Sequence, residues 1–251
     1  MIAAQNERRV ALVTGGSRGI GLDIARRLAG EGFAVTVAAR KEAGVAAAVA
    51  HIEDETGAPA FGVAADMADE GALGRLAAQH TDRFGRLDVL VLAAGLGAEE
   101  PVAAIRTKAY DLQMNVNLRA PVLLVRELLP LLRTTAAAHP ERGSRVVALS
   151  SITGVAAEAG LSVYGATKAA LLSFCETLSL EESGNGVNAT AVAPGYVDTD
   201  MTSHLHGRIE RESMLGVSDV SEMVLGLTRL SARAVVPSIV ISRAGSQLWR
   251  A

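Results

Sequence analysis

The chain contains a single cysteine, Cys175, so it cannot close an internal disulfide, and it suits a reducing compartment. Aromatic residues make up only 3%, which leaves few platforms for stacking bases or sugars. Neither sign of charge dominates. The 24 Lys and Arg stand against 27 Asp and Glu, a net charge of −3, so the basic face that nucleic acid demands is missing. Long apolar runs are also missing: Val89 to Ala98 reaches about half of the roughly 20 residues that span a bilayer. The start, Met1 to Arg9, has no apolar stretch of the signal-peptide kind. These absences predict a cytoplasmic protein with neither membrane nor nucleic acid as partner. Metal ligands are scarce too. His204 and His206 flank Leu205, and at that spacing they do not share a helix face. With no Cys or carboxylate cluster to complete a site, the expectation is no metal. His51, His80 and His139 read as solvated positions.

What the chain does have is alternation. Short apolar runs stand at Val10–Thr14, Ala34–Ala39, Ala60–Ala64, Asp88–Leu92, Arg145–Leu149, Val187–Val192 and Val236–Ile241. Helical patterns separate them, at Ile20–Ala29, Glu42–Thr56, Glu70–Phe84, Ala104–Arg133, Ser162–Glu182 and Val220–Leu230. Continuous apolar runs fit strands covered on both faces. Strand–helix alternation throughout predicts one doubly wound α/β domain over 1–251: a Rossmann-type parallel seven-stranded sheet, order 3-2-1-4-5-6-7, with helices on both faces. Thr134–Gly143 reads as a surface loop. Thr199–Ser218 breaks the alternation and reads either as a substrate lid or as a crossover helix, since Met201, Leu205, Ile209, Met214 and Leu215 keep helix-like spacing.

The first strand runs into Thr14-Gly15-Gly16-Ser17-Arg18-Gly19-Ile20-Gly21, where a helix begins. Glycines there let backbone approach a pyrophosphate, and a helix N-terminus offers unpaired N–H groups. No Gly-Lys-Ser/Thr follows, which excludes a P-loop nucleotidase. After the second strand, an acid would hold the 2′-hydroxyl of NAD, but the chain has Ala39-Arg40-Lys41. Arg40, with Arg18 from the loop, suits a 2′-phosphate instead, favouring NADP. The missing acid also weakens a methyltransferase reading.

Tyr164 and Lys168 stand four apart in a helical stretch and share a face. Ser151 follows the fifth strand, and ligands bind at the C-terminal ends of parallel strands. A tyrosine near an ammonium titrates lower and becomes a usable acid or base, while a serine hydroxyl can hold a reacting oxygen.

Taken together, the glycine loop, Asp66, Ala94-Gly95, Asn117, Ser151, Tyr164-Gly-Ala-Thr-Lys168 and Pro194-Gly195 make the sequence resemble the short-chain dehydrogenase/reductase family, from Arg9 to about Gly245. It is closest to the 3-oxoacyl-[acyl-carrier-protein] reductase-like group. The resemblance implies a catalytic set of Asn117, Ser151, Tyr164 and Lys168. Tyr164 would be the acid/base, Lys168 would hold the nicotinamide ribose and Ser151 would orient the substrate oxygen. Asn117, chosen over Asn115 for the Leu118-Arg119-Ala120-Pro121 that follows, would kink its helix and hold a proton-relay water. The implied cofactor set is Gly15, Ser17, Arg18, Gly19, Ile20, Gly21, Arg40, Asp66, Met67, Ala93, Gly95, Tyr164, Lys168, Pro194, Gly195, Val197 and Thr199. Asp66 would meet the adenine edge with Met67 beside it, and Pro194 to Thr199 would cover the nicotinamide.

The implied activity is NADPH-dependent reduction of a ketone, or oxidation of a secondary alcohol, extending to a 3-oxoacyl thioester, in a homotetramer or homodimer. Leu92-Ala93 stands where the family pairs two asparagines, which puts local rigidity in question. Surplus apolar residues such as Leu123-Leu124-Val125 and Leu171-Leu172 suggest an interface. The pocket segments Leu96–Glu100 and Ile152–Leu161 look small and apolar. Glu176, Glu181 and Glu182, with no basic neighbour on that helix, argue against docking an acidic carrier protein. The rival readings are a catalytically silent NADP-binding regulator or scaffold, which should have lost Ser151, Tyr164 or Lys168, and a sugar-nucleotide epimerase, which needs a larger C-terminal region.

Overall fold

This computed structural model describes residues 8–245; the remaining residues of the expected 1–251 domain, 1–7 and 246–251, lie outside the described ones. Seven strands form one parallel sheet: β1 (Val10–Thr14), β2 (Ala34–Ala39), β3 (Ala60–Ala64), β4 (Val89–Leu92), β5 (Ser144–Leu149), β6 (Val187–Pro194) and β7 (Ser238–Ile241). Their order is β3-β2-β1-β4-β5-β6-β7, as expected. The order reverses between β1 and β4, which pair directly, Ala11 with Val89 and Thr14 with Leu92. Where neighbouring connections leave in opposite directions, a crevice opens at the C-terminal strand ends.

Alternate strand residues serve opposite faces. Leu12, Leu90 and Leu92 enter one core cluster, while Ala11, Val13, Val89 and Val91 enter the other. This is why the strands read as unbroken apolar runs. Around them lie α1 (Gly19–Gly30), α2 (Glu42–Thr56), α3 (Glu70–Phe84), α4 (Thr107–Met114), α5 (Ala120–Ala138), α6 (Ser162–Glu182) and α7 (Val217–Thr228). None of the helices among the described residues is long and apolar enough to cross a membrane.

The structure corrects several sequence expectations. The predicted helix Ala104–Arg133 is two helices joined by a π turn at Asn115–Arg119, in which the Ala120 N–H donates to the Asn115 carbonyl. Pro121 has no N–H to give the Asn117 carbonyl, so one ordinary helical bond is lost there and the wider turn takes over. The expected loop over 134–143 is helical as far as Ala138. Between Thr199 and Val217 there is no crossover helix, only two single turns, Ser203–Leu205 and Arg211–Ser213.

His80 is fully buried rather than solvated. It belongs to the inward stripe Ala72, Leu73, Leu76, Ala77 and His80 of α3. Its Nδ1 meets Thr36 Oγ1 at 2.8 Å, and its Nε2 meets the Arg86 carbonyl at 3.2 Å. The carbonyl requires Nε2–H, so Nδ1 accepts from the threonine. Burial pushes its pKa down to about 4. Glu182 is likewise buried, and Arg133 and Asn185 hold its carboxylate.

Candidate active site

The turn after β1 is shaped by glycine. Gly15 and Gly19 sit at φ 67° and 54°, which side chains rarely adopt. A Cβ on Gly15 would lie 2.8 Å from the Ala94 backbone, and one on Gly21 would lie 2.5 Å from the Gly15 carbonyl. The loop therefore folds tightly onto α1 and onto the end of β4. No side chain caps α1 at Arg18, so its first N–H groups and positive dipole end stay available to an anion. These features fit a dinucleotide pyrophosphate.

Thr14 answers the rigidity question. Its Oγ1 donates to the Val91 carbonyl at 3.4 Å and accepts from Ala94 N–H at 3.2 Å, tying β1 to β4 where the family uses asparagine.

Ser151, Tyr164 and Lys168 converge at the ends of β5 and α6. The Ser151 hydroxyl lies within hydrogen-bonding reach of the Tyr164 phenol. Burial pushes the Tyr164 phenol up, and the bond to Ser151 opposes that rise. Lys168 Nζ lies 5.5 Å from the Tyr164 ring centre and donates to the Leu149 carbonyl at 2.7 Å. Burial lowers its pKa to about 8. Asn117 is fully buried within the π turn. Its Oδ1 accepts from Leu96 N–H at 2.9 Å, and its Nδ2 donates to the Leu96 carbonyl at 2.8 Å and to Thr167 Oγ1 at 3.2 Å. A side chain placed there pins the segment after β4 to α6.

Ser151, Tyr164 and Lys168 line one cavity of about 210 Å³ together with Ile20, Ala93, Gly95, Pro194, Gly195, Val197 and Thr199. At Gly95 a Cβ would lie 3.3 Å from Lys168 Nζ, a tight approach that glycine avoids. The remaining cofactor candidates lie outside this cavity. Gly15, Ser17, Arg18, Gly19 and Gly21 form the turn. Arg18 is ion-paired with Asp200 at 3.1 Å, both well exposed. Arg40, just past β2, is exposed and makes no ion pair among the described residues. Asp66 is exposed after β3, one carboxylate oxygen accepting from Ala68 N–H at 2.9 Å. The Met67 side chain is buried in the core.

The far wall of the cavity comes from 199–218, with Met201, Thr202, His204, Leu205 and Arg208 lining it. Leu205 is buried, and Val197 bridges Leu215, so the segment is anchored at both its middle and its end. The cavity as a whole is more polar than the sequence suggested, with Glu99, Glu158, Tyr196 and Arg208 among its lining. The Tyr196 hydroxyl donates to Glu158, and burial followed by that bond raises its pKa. His206 Nε2 lies 3.2 Å from an Asp198 carboxylate oxygen.

Sequence reasoning passed over three contacts that seat α6. A Cβ on Gly154 would lie 2.6 Å from the Lys168 carbonyl carbon, and one on Gly165 would lie 2.9 Å from the Thr153 carbonyl oxygen. Ser150 Oγ donates to the Lys168 carbonyl at 2.8 Å. The available signal was Ser-Ser-Ile-Thr-Gly after the fifth strand and Gly beside Tyr164, small residues where two backbones must meet.

Residues 9–209 match the family model described as short chain dehydrogenase. A 3-oxoacyl-[acyl-carrier-protein] reductase from Staphylococcus aureus is 33% identical over 208 residues, 82% of this chain and 80% of that protein. The solved alcohol dehydrogenase of the archaeon Thermococcus sibiricus, complexed with 5-hydroxy-NADP, superposes with a TM-score of 0.86 at 25% identity, covering 96% of this chain and 98% of that one. A 3-oxoacyl-[acyl-carrier protein] reductase from Brucella melitensis, in complex with NAD, gives 0.84 at 28% identity, covering 94% and 95%. With its sheet order, its glycine turn and the Ser151–Tyr164–Lys168 grouping, the chain belongs to the short-chain dehydrogenase/reductase family of oxidoreductases.

Proposed function

We propose that the protein is an NADP(H)-dependent carbonyl reductase acting reversibly on a ketone or secondary alcohol. The observation that carries this reading is the meeting of Ser151, Tyr164 and Lys168 in one cavity whose floor includes Gly95. When bound, NADPH is the source of the hydride. Tyr164 gives its phenolic proton to the carbonyl oxygen as the carbon is reduced. Ser151 donates a hydrogen bond to the same oxygen while negative charge builds there. The Lys168 ammonium stabilises the phenolate that remains and, with a nicotinamide present, holds its ribose. Asn117 fixes the Leu96 backbone and, through the same turn, a water that resupplies protons behind Lys168.

The cofactor set is assigned residue by residue. Gly15, Ser17, Gly19, Ile20 and Gly21 carry the pyrophosphate. Arg40 and Arg18 read the 2′-phosphate, Arg18 after leaving Asp200. Asp66, through its second oxygen, and the Met67 backbone meet the adenine. Ala93, Gly95, Pro194, Gly195, Val197 and Thr199 enclose the nicotinamide half. Residues 199–218 serve as the substrate lid.

Glu176 and Glu181 are exposed at the end of α6, although Arg133 neutralises Glu182. These acids stand about 18 and 26 Å along α6 from Tyr164 and do not line the cavity, so the expectation they raised against an acidic carrier protein falls away, and a 3-oxoacyl thioester on either carrier stays within the proposed substrate class. We also assign the protein to the cytoplasm, on its lone cysteine, and to a homotetramer or homodimer built on α4 and α6, where Tyr110, Leu112 and Leu180 are exposed.

The test is a panel of ketones and 3-oxoacyl thioesters with NADPH and with NADH, followed by nicotinamide absorbance. Turnover with NADPH supports the reading. Tight NADPH binding with no turnover across the panel would move the protein to the regulator class.

A further inference from the structure

Ser151 is not alone behind Tyr164. The single turn Ile152–Gly154 carries Thr153 back over it, and Thr153 is buried on the cavity wall. Ser151 Oγ accepts from Thr153 N–H at 3.2 Å and bonds Thr153 Oγ1 at 2.9 Å. A serine hydroxyl has one hydrogen and two lone pairs. If the threonine donates, both lone pairs are filled, and the serine hydrogen has a single direction left, towards Tyr164 and the reacting oxygen. If the serine donated to the threonine instead, the Thr153 hydrogen would have no acceptor among the described residues. Buried hydroxyl groups seldom go without one.

We propose that Thr153 is a positioning residue that fixes Ser151 as a hydrogen-bond donor to Tyr164 and to the substrate oxygen. The order of donation is Thr153 O–H to Ser151 Oγ, then Ser151 O–H to the Tyr164 oxygen or to the carbonyl. Each donor polarises the next, so the chain delivers more positive character than Ser151 alone. The direction matters for reduction, because an oxygen gaining negative charge needs donors already aimed at it. No bond is made or broken at Thr153, and no proton leaves it. The inference rests on the catalytic roles proposed above for Ser151 and Tyr164.

The substitution Thr153→Val keeps the branched shape and the backbone N–H bond to Ser151 but removes the hydroxyl. The expected result is a fall in kcat of about three- to tenfold, the worth of one hydrogen bond, with KM and the Kd for NADPH within about twofold of wild type. The basic limb of the kcat–pH profile for reduction should also move to higher pH, since the Tyr164 phenolate loses a donor at second hand. Thr153→Ser should restore both.

An unchanged kcat and pH profile in Thr153→Val would overturn the proposal. So would an equal loss in both variants with no movement of the pH limb, because packing alone would then account for it. A readout independent of turnover separates this proposal from the functional reading. The chain has three tyrosines, so phenolate absorbance in full-length protein, less that of the Tyr164→Phe background, isolates the Tyr164 titration. If wild type reduces nothing in the panel but Thr153→Val still moves this titration upward, the functional reading fails and the hydroxyl chain stands. If turnover is normal and the titration does not move, the reverse holds.

Discussion

His80 should make stability fall on mild acidification, and the size of the effect follows from its surroundings. The imidazole is fully buried, with Nδ1 accepting from Thr36 and Nε2–H donating to Arg86, so it is held neutral. Its pKa is about 4 in the fold against an ordinary 6.5. Between those values the unfolded chain carries a proton that the fold excludes, so stability decreases as pH falls. The contribution is complete above about pH 6.5, declines by up to ~1.4 kcal/mol per pH unit, and is gone below about pH 4, a total of about 3 kcal/mol.

The assay is urea denaturation at several pH values from 7.5 to 4.5, comparing wild type with His80→Gln, whose amide does not titrate. The variant is less stable at pH 7.5, because it cannot reproduce both hydrogen bonds, but its curve should approach that of wild type as pH falls. Carboxylates titrate alike in both proteins and cancel in the difference. A stability difference that stays constant across the range would refute the reasoning, as would an imidazole pKa near 6.5 by NMR.

Arg40→Ala should weaken NADPH binding by about tenfold and leave NADH unchanged, whereas Asp200→Asn, which releases Arg18, should tighten NADPH; fluorescence titration reads both. Gly154→Ala would push a methyl into the α6 backbone at Lys168, so steady-state kinetics should show kcat falling by at least tenfold, about the loss expected when catalytic groups shift slightly. Light scattering at micromolar concentration should find a tetramer or dimer, and Leu180→Glu, at a side chain 85% exposed on α6, should shift it towards monomer.

Sheet order, element types and the grouping of Ser151, Tyr164 and Lys168 were legible because each leaves a local mark: an apolar run, a glycine turn, a four-residue spacing. The family-model match and the observed strand order bear out the fold and the family. What was hidden depends on partners distant in sequence. His80 looked solvated because a lone histidine carries no sign of Thr36, 44 residues away. Even so, its place four residues after Leu76 on an apolar stripe was a usable clue. Glu182 showed no basic partner in the sequence because Arg133 lies on another helix. The kink expected at Asn117 is the π turn at Asn115–Arg119; what the helix pattern alone missed was the division into two helices. The apolar residues first taken as surplus turned out to be mostly core: Leu124, Val125 and Leu171 are buried, and the large apolar side chains exposed on α4 and α6 are Tyr110, Leu112 and Leu180. The Arg18–Asp200 pair joins the glycine turn after β1 to the segment 199–218, and neither segment announces the other.

The central claim is that Tyr164 supplies the proton in carbonyl reduction, and the most direct measurement is kcat/KM for a reducible ketone in Tyr164→Phe, with NADPH affinity determined in the same preparation. The account predicts a loss of about 100-fold or more, the usual worth of a positioned general acid, with the Kd for NADPH within about twofold of wild type. Near-normal turnover in this variant would contradict it and would require another proton donor on the cavity wall.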